Sequence, residues 1–244
     1  MTIDWVVENF DILPSTMDVA HERARSGASE GLVIVAKDQN TGRGRHGNKW
    51  VGCSGNLYSS FILKPRVKLN DIGQFSFITA VALGQSVKPF LKRDIIFKNK
   101  WPNDCLLNDL KFAGILLETG LTLSGDLDYL VIGIGVNIAN APKGRNCIHN
   151  VAVEKIEASK FLKLLLENFN RILEIYRNEG FAKIRKIWLE DAKGIGQELT
   201  VRLADESFNG IFHGLDEQGA LLLGLDNGSQ KVIHSGEVFF RKEI

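Results

Sequence analysis

Residues 39–50 limit the fold of this chain more than any other stretch, because Gln-Asn-Thr-Gly-Arg-Gly-Arg-His-Gly-Asn-Lys-Trp directly follows the apolar, strand-like run 32–36. Three glycines and two arginines alternate here. Glycine allows left-handed conformations and lets backbone N–H groups approach a ligand closely. Guanidinium groups offer forked donors that match carboxylate or phosphate oxygens. The pattern predicts an anion-binding loop after a strand, with a solvated basic turn as the alternative.

A second motif is Lys-Trp-Pro-Asn-Asp at 100–104, which lies between short apolar runs. The apolar runs around the Asn-Asp pair at 108–109 predict a β-hairpin. Lys111 would stand just beyond its turn, beside Ala113 and Gly114, small residues that leave room for a ligand. Lys111 is therefore either a ligand contact or a solvated lysine that caps the hairpin.

The third motif is the apolar run 129–138, in which Gly133 and Gly135 stand two positions apart. In a strand, both glycines would point to the same face. Glycine inside a strand is unfavourable unless something packs closely against it. A crossing helix or a flat apolar ligand would each explain the pair.

Taken in order, these segments resemble one family, the biotin–protein ligases, also called biotin–acetyl-CoA-carboxylase ligases. The matches are the glycine-arginine loop, the Lys-Trp-Pro-Asn-Asp hairpin with its following lysine and Ala-Gly-Ile-Leu, and the Gly-x-Gly-x-Asn strand. A fourth segment, Pro-Ser-Thr-Met-Asp at 14–18, is similar to the family's Ser-Thr-Asn at the start of the first helix. Four ordered matches over about residues 10–140 are far more specific than any one.

The resemblance implies an α+β fold with a mixed central sheet and flanking helices, the class II aminoacyl-tRNA synthetase-like core of biotin and lipoate ligases, plus a small C-terminal SH3-like β-barrel. A chain of 244 residues, 44% of them hydrophobic, allows one large and one small domain. From about Ile195 short β-like runs alternate with turns, at 199–203, 208–213, 220–225 and 231–234. We therefore predict a catalytic domain at 1–192 and an SH3-like domain at 193–244.

Three helices are predicted within the first of these domains. Ser15 or Thr16 can cap a helix that ends near Gly27. Apolar residues recur near the helical period over 74–91 and over 158–177, and we interpret both stripes as core.

The activity implied by the resemblance is that of an ATP-dependent biotin–[biotin carboxyl-carrier protein] ligase. Biotin's carboxylate attacks the α-phosphate of ATP, giving biotinyl-5′-AMP and pyrophosphate; biotin then passes to a specific lysine of the biotin carboxyl carrier protein of acetyl-CoA carboxylase. Both steps move negative charge, so the site must supply fixed positive charge. The candidate catalytic residues are Lys111, Arg43, Arg45 and Asp104. Asp104 has an alternative interpretation as a turn-forming residue.

Two substrate sites follow from the same resemblance. The biotin-binding candidates are Ser15, Thr16, Gln39, Gly42, Arg43, Arg45, Trp50, Lys111, Gly114, Gly133 and Gly135. The ATP-binding candidates are Arg43, Arg45, Lys100, Asn103, Lys111 and Asn137. Asn137 would face adenine, and Lys100 either meets the triphosphate or is a solvated lysine before a buried Trp101. No protein ligand set is assigned to a metal, and Mg²⁺ is expected to bind through the ATP phosphates.

The chain departs from the family pattern in two places. His46 occupies a basic position of the loop that is commonly arginine, so one contact there is expected to be weaker or pH-dependent. The segment 139–151 lies where the family has an adenine-covering loop, and no aromatic residue aligns with it.

Composition bears on partners and compartment. With 30 basic and 29 acidic side chains the net charge is +1, which argues against a general nucleic-acid or membrane-surface binder. Cys53, Cys105 and Cys147 are widely spaced and odd in number, as in a reduced, cytoplasmic protein. No signal peptide and no run of membrane-spanning length is present, so no membrane partner is expected. A homodimer is one arrangement that the resemblance suggests.

Three other functions remain open at this stage. A lipoate–protein ligase would use the same charge logic, although the motifs match the biotin branch better. A DNA-binding regulator would need a basic recognition element; the Ser-Thr helix begins at residue 15, which leaves no room for the N-terminal winged-helix domain of some family members, and no DNA partner is expected. A pure interaction module would make the C-terminal domain the functional part.

Overall fold

The computed structural model describes residues 2–203 and 205–240, which form twelve strands and five α-helices. The strands are β1 (Val6–Leu13), β2 (Leu32–Gln39), β3 (Leu57–Leu63), β4 (Phe97–Lys100), β5 (Asp104–Leu107), β6 (Leu110–Leu121), β7 (Leu127–Val136), β8 (Glu198–Arg202), β9 (Ser207–Leu215), β10 (Leu221–Gly224), β11 (Gln230–Ile233) and β12 (Glu237–Phe240). The helices are α1 (Thr16–Arg25), α2 (Gln74–Val87), α3 (Ile148–Val151), α4 (Ala158–Glu179) and α5 (Phe181–Glu190). Within the described ranges, every helix is too short or too polar to cross a membrane.

The central sheet has seven strands in the order β1-β2-β3-β7-β6-β5-β4. β1 and β2 are parallel and all other neighbours are antiparallel, so the sheet is mixed. Alternate residues serve opposite faces: Val131 packs with Met17 of α1, whereas Ile132 belongs to a larger core with Phe161 of α4. The expected α+β architecture is confirmed.

The second sheet has five antiparallel strands in the order β11-β10-β9-β8-β12. It contains the four short strands predicted from the turn-separated runs, together with β12, which was not predicted. This second sheet packs against the turn between β4 and β5 of the central sheet. There, Nε1 of Trp101 donates to the carbonyl oxygen of Gly219 at 3.0 Å. The small C-terminal β-domain is confirmed.

The predicted helices are present with adjusted ends. Ser15 caps α1, its Oγ accepting from the N–H of Met17 at 3.3 Å. α2 ends at Val87 rather than near residue 91, because Pro89 follows and lacks the N–H that would continue the helix. α4 ends at Glu179 and is followed by Gly180, whose φ of 75° favours glycine.

The hairpin between β5 and β6 has the predicted two-residue turn. Asn108 and Asp109 have φ values of 49° and 63°, which suit a turn that matches the strand twist. β6 then pairs with β7, so that Gly114 lies opposite Gly135 and residue 116 lies opposite Gly133. This register carries the glycines of two motifs onto one face of the sheet.

Candidate active site

A cavity of about 620 Å³ lies where the glycine-arginine loop, the 100–104 turn and β12 meet. Its lining includes these predicted site residues: Ser15, Thr16, Gln39, Arg43, Arg45, Trp50, Lys100, Asn103, Asp104, Lys111, Gly114, Gly133, Gly135 and Asn137. Gly42 is buried behind this lining, and its carbonyl oxygen accepts from the N–H of Trp50 at 2.9 Å. The motifs, far apart in sequence, therefore converge on one site.

The floor of the cavity is the pair Gly114 and Gly135. A Cβ at Gly135 would lie 2.5 Å from the Trp50 indole, and one at Gly114 would lie 2.8 Å from it. Gly133 differs, since its added Cβ would lie 2.6 Å from Sδ of Met17 on α1. Helix packing therefore explains Gly133, whereas a flat aromatic contact explains Gly135.

Lys111 forms the central ion pair of the site. Its Nζ lies 2.6 Å from Oδ1 of Asp104 and 5.3 Å from the centroid of the Trp50 ring. The two charged side chains are only 22% and 25% exposed, so water screens the pair less than a surface pair. Asp104 stands opposite Gly114 in the β5–β6 ladder, and the missing side chain at Gly114 leaves space for the lysine.

Arg45 brings a second cation into the cavity from the loop. Its Nη1 donates to Oδ1 of Asn103 at 3.4 Å, and Nδ2 of Asn103 donates to the carbonyl of Ile115 at 2.8 Å. Burial lowers the pKa of the Arg45 guanidinium, while the charges of Asp104 and Glu237 raise it. Because an arginine remains cationic under such shifts, Arg45 is a fixed positive charge.

Arg43 is held differently from Arg45. Its guanidinium pairs with Oδ1 of Asp18 at 2.6 Å and with Oε1 of Glu118 at 3.1 Å. The hydrogen bond to Glu118 is the main cause that raises the pKa of Arg43. The side chain was expected to clamp the biotin carboxylate and phosphates, but here its fork is occupied by protein carboxylates.

Glu118 also receives a hydrogen bond from His21. Nε2 of the histidine lies 2.8 Å from Oε2 of Glu118, and its Nδ1 lies 3.1 Å from the hydroxyl of Tyr129. The bonds from His21 and Arg43 lower the pKa of Glu118 from 4.5 to about 2, against the opposing effect of burial. The carboxylate is therefore charged at neutral pH.

Ser15, Thr16 and Gln39 form the polar end of the cavity. Oε1 of Gln39 accepts from the backbone N–H of Thr16 at 2.7 Å and from its hydroxyl at 3.2 Å. The hydroxyl of Ser60 donates to Oγ1 of Thr16 at 2.8 Å. All three predicted residues are thus held at the N-terminus of α1 by hydrogen bonds.

Asn137 lines the cavity and belongs to a set of buried asparagines. Its Nδ2 donates to the carbonyl of Asn146 at 3.1 Å. The Asn146 N–H in turn donates to the carbonyl of Lys111 at 3.0 Å. Oδ1 of Asn56 accepts three backbone N–H bonds, from residues 138, 139 and 140. These bonds fix the segment after β7 to the strand that carries Lys111.

The cavity rim includes both places where the sequence departs from the resemblance. His46 is exposed, with φ 54° and ψ 33°, a left-handed conformation that is uncommon outside glycine. The segment 139–151 contributes Pro142, Lys143 and Arg145 to the lining. Two cations thus stand where no aromatic residue could be aligned.

The C-terminal domain completes the wall through β12. Nδ2 of Asn48, in the loop, donates to Oε1 of Glu237 at 3.3 Å. Nζ of Lys100 lies 6.0 Å and 5.5 Å from the ring centroids of Phe239 and Phe240. Lys100 therefore lines the cavity beside aromatic rings of β12, and its contact with the triphosphate stays a prediction.

Comparison with known proteins decides the family. Residues 10–137 match the profile described as "Biotin/lipoate A/B protein ligase family", and residues 194–241 match "Biotin protein ligase C terminal domain". A biotin--[acetyl-CoA-carboxylase] ligase of Paracoccus denitrificans is 37% identical over 88% of this chain and 92% of that protein. The chain belongs to the biotin protein ligase family.

Other relatives of this family agree. The bifunctional ligase/repressor BirA of Bacillus subtilis is 33% identical over 91% of this chain and 70% of that protein. The structure of the Aquifex aeolicus biotin protein ligase in complex with biotin and ATP superposes with a TM-score of 0.79 at 26% identity, covering 96% of this chain and 97% of that one. The family assignment and the fold inferred from the motifs are confirmed.

Sequence reasoning missed several residues that support the site. Glu118 and Asp18 bind Arg43, and His21 supports Glu118. Asn146 bonds to the carbonyl of Lys111, and Asn56 bonds to the backbone of residues 138–140. The sequence did indicate that Glu118 is near the site. It lies on the same strand as Gly114, an even number of positions away, so both residues point to the same face of β6. The others meet the site from distant segments, and no local pattern marks them.

A protein-borne metal site is not formed by the part of the chain that the structure describes. Within those residues, no group of three or more His, Cys, Asp or Glu side chains is arranged to hold a metal ion. Asp104, the carboxylate in the ion pair with Lys111, is already engaged by that ammonium.

Proposed function

We propose that this biotin protein ligase family member uses ATP to activate biotin as biotinyl-5′-AMP and transfers the biotinyl group to a specific lysine of a biotin carboxyl carrier protein. The observation that carries the proposal is the cavity in which Lys111 and Arg45 stand around an aromatic and glycine floor. The relatives named as biotin ligases, and the Aquifex aeolicus structure with biotin and ATP, support the same substrates.

Biotin fits the two chemical ends of the cavity. Its ureido head needs donors and acceptors, which Ser15, Thr16 and Gln39 supply at the start of α1. Its thiophane ring and alkyl chain need apolar surface, which Trp50 and the paired glycines supply. The carboxylate would then lie toward Lys111, on the cationic side.

The first chemical step is the attack of a biotin carboxylate oxygen on the α-phosphorus of ATP. A new O–P bond forms, and the bond to pyrophosphate breaks. Lys111 and Arg45 place positive charge where the equatorial phosphate oxygens become more negative. Asp104 holds the lysine ammonium in this direction through the 2.6 Å ion pair.

In the second step, the carrier lysine amine attacks the activated acyl carbon. The C–N bond forms, the C–O bond to AMP breaks, and the amine proton leaves to solvent. Lys111 would stabilise the oxyanion of the tetrahedral intermediate. AMP is a good leaving group, so little proton transfer by the protein is required.

ATP is expected to enter as its magnesium complex. The cavity is lined by cations, including Lys100, Lys143 and Arg145, which suit a triphosphate. The metal would be held through the phosphate oxygens. Asn137 and the segment 139–151 are the proposed contacts for adenine.

We propose that the protein works in the cytoplasm and has no DNA partner. The three cysteines are free thiols, as expected in the reducing cytoplasm. The net charge of +1 gives no general attraction to DNA.

A homodimer could form through β6. β7 pairs with β6 as far as Leu121, whereas β5 pairs with it only as far as Gly114. The remaining edge could accept the same edge of a second copy. Sedimentation at micromolar concentration should give a dimer, and a monomer at every concentration would contradict this part.

ATP–pyrophosphate exchange tests the proposed activity. Purified protein with magnesium and ATP should exchange labelled pyrophosphate when biotin is added and remain at background with lipoate. Exchange driven by lipoate would favour the other branch of the matched family. Exchange with neither acid would contradict the proposed first step.

A further inference from the structure

The side chain of Arg43 raises a question that the proposed reaction leaves unanswered. It belongs to the glycine-arginine loop and borders the cavity, yet its guanidinium faces two carboxylates of the protein. Asp18 lies on α1 and Glu118 lies on β6. A side chain engaged in this way connects the loop to two rigid elements.

The contact with Glu118 is bidentate. Nε of Arg43 donates to Oε1 at 3.1 Å, and Nη2 donates to Oε2 at 3.3 Å. Fork-to-fork pairing of this kind fixes direction as well as distance. The third contact, from Nη1 to Asp18 at 2.6 Å, holds the other side of the guanidinium.

Glu118 is itself held by a second donor, which contacts the Oε2 that also accepts from Arg43. Because its carboxylate can only accept, Nε2 of His21 donates to it, and Nδ1 of a neutral imidazole then accepts from the Tyr129 hydroxyl. The Tyr129 ring is fixed by Gly120, where an added Cβ would lie 2.2 Å from it. A chain of hydrogen bonds therefore runs from β7 through α1 and β6 to the loop.

Apart from Arg43, the loop is attached to other segments through Asn48, whose Nδ2 donates to Oε1 of Glu237 at 3.3 Å, and at its start through Thr41, whose hydroxyl donates to the carbonyl of Pro14 at 3.0 Å. The loop's internal bonds, Trp50 N–H to the Gly42 carbonyl and Gly44 N–H to the Asn48 carbonyl, shape the turn without attaching it to the sheet. Arg45 reaches Asn103 at the longer distance of 3.4 Å. The bidentate pair of Arg43 is thus a strong attachment between the loop and β6.

We propose that Glu118 is a positioning residue of the ligase reaction, acting through Arg43. By docking Arg43 on β6, it holds the loop in the arrangement that places Trp50 on the glycine floor and Arg45 in the cavity. Asp18 and His21 assist it from α1. The expected effect of Glu118 on biotin binding rests on the proposed function, whereas its effect on the position of the loop does not.

Glu118→Gln is the direct test, because it keeps the size of the side chain and removes its charge. The matched control is Glu8→Gln, which breaks a surface pair with Nε of Arg23 at 3.1 Å, away from the cavity. Amide hydrogen exchange of residues 42–50 should become about tenfold faster in Glu118→Gln, the size expected for one charge-assisted pair. The control should leave exchange in this loop unchanged.

The kinetic part separates positioning from catalysis. In ATP–pyrophosphate exchange, Glu118→Gln should raise the KM for biotin by about tenfold while kcat changes by less than about threefold. A loss confined to kcat, or unchanged loop exchange, would overturn the proposal. A third outcome is that loop exchange is faster in Glu118→Gln, but that neither the variant nor the unaltered protein has ligase activity. That outcome would contradict the proposed function and not the role of Glu118 in holding the loop.

A double-mutant cycle tests whether the effect passes through Arg43. In an Arg43→Met background, adding Glu118→Gln should cause no further increase in loop exchange. Equal effects in both backgrounds would show that Glu118 acts independently of Arg43 and would overturn the proposal.

If Glu118→Gln does not fold, Asp18→Asn replaces it, since the Asp18 side chain is 52% exposed. Amide exchange in the loop should then become about threefold faster. Unchanged loop exchange in this variant would also overturn the proposal.

Discussion

Lys111 is the residue on which the proposed chemistry depends most. It stands at the start of a strand, and its ammonium is directed by Asp104 at 2.6 Å and lies near the face of Trp50. A charge held in advance needs no reorganisation when the phosphate becomes more negative, so it stabilises the transition state more than the ground state.

We expect Lys111→Ala to lower the rate of biotin-dependent ATP–pyrophosphate exchange by on the order of 10²- to 10³-fold, the usual effect of losing one preorganised donor. The matched control is Lys98→Ala on β4, which is separated from β6 by β5 in the sheet. Both variants should show the same circular dichroism spectrum. Exchange at the unaltered rate in Lys111→Ala would show that this charge has been misplaced.

Glu118 gives a prediction about acid stability. A carboxyl with a lowered pKa stabilises the folded state fully above its unfolded value, and that stabilisation is lost as the pH falls through the folded value. For Glu118 this window runs from 4.5 down to about 2. Urea unfolding should show wild type more stable than Glu118→Gln at neutral pH, with the difference shrinking below about pH 4. A difference that stays constant into acid would contradict the assignment.

At the level of elements, the two glycines of β7 pack against different partners. Gly135 accommodates Trp50, and Gly133 accommodates Met17 of α1. The two positions lie on one face of the same strand, so they form a matched pair for substitution.

Gly135→Ala should move the Trp50 indole and raise the KM for biotin by on the order of tenfold, because the binding wall is displaced. Gly133→Ala meets the flexible end of Met17, so its effect on KM should be less than about threefold. Steady-state kinetics of both variants checks this difference. Equal KM values would mean that the floor at Gly135 does not contact biotin.

The sequence predicted the elements whose patterns are local. The Asn-Asp turn, the capped α1 and the apolar stripes of α2 and α4 are visible within a few residues. β1 was not predicted, because it is an edge strand in which Val6 and Ile12 are 62% and 61% exposed, so apolar residues do not mark a buried face. The C-terminal β12 was also not predicted; it pairs with β8, far away in the sequence, so no local hairpin marks it.

The sequence predicted which residues lie at the candidate site, but not which side chains bind each other there. Every predicted site residue except Gly42 lines the cavity, since glycine, arginine and lysine types are restricted by chemistry. The partners of Arg43 lie 25 and 75 positions away, so only the folded chain shows that this arginine is bound by protein carboxylates. The predicted boundary between residues 192 and 193 remains a prediction.

At the scale of the whole molecule, the C-terminal domain packs onto the core at Gly219. This residue has φ +90°, accepts a hydrogen bond from Trp101, and lies so close to Phe77 that an added Cβ would be 2.6 Å from its ring. Trp101 belongs to the 100–104 turn, so the contact ties the domain to the wall of the cavity.

Gly219→Ala should therefore destabilise the protein by about 2–4 kcal/mol, combining left-handed strain with overpacking. Gly228→Ala is the control, because its φ is +80° and nothing lies within 4 Å of an added Cβ, so it carries the strain alone. Gly228→Ala should lower the free energy of unfolding by only about 1 kcal/mol. Thermal unfolding compares the two, and equal losses would mean that the domain contact is loose.

The most direct test of the account is transfer to an acceptor. The protein would be incubated with ATP, magnesium and a biotin-carrier domain, with either biotin or lipoate, and the acceptor mass read by mass spectrometry. We predict a gain of one biotinyl group with biotin, none with lipoate, and a strongly reduced gain with Lys111→Ala. An unmodified acceptor with biotin, or modification unaffected by Lys111→Ala, would contradict the proposed reaction.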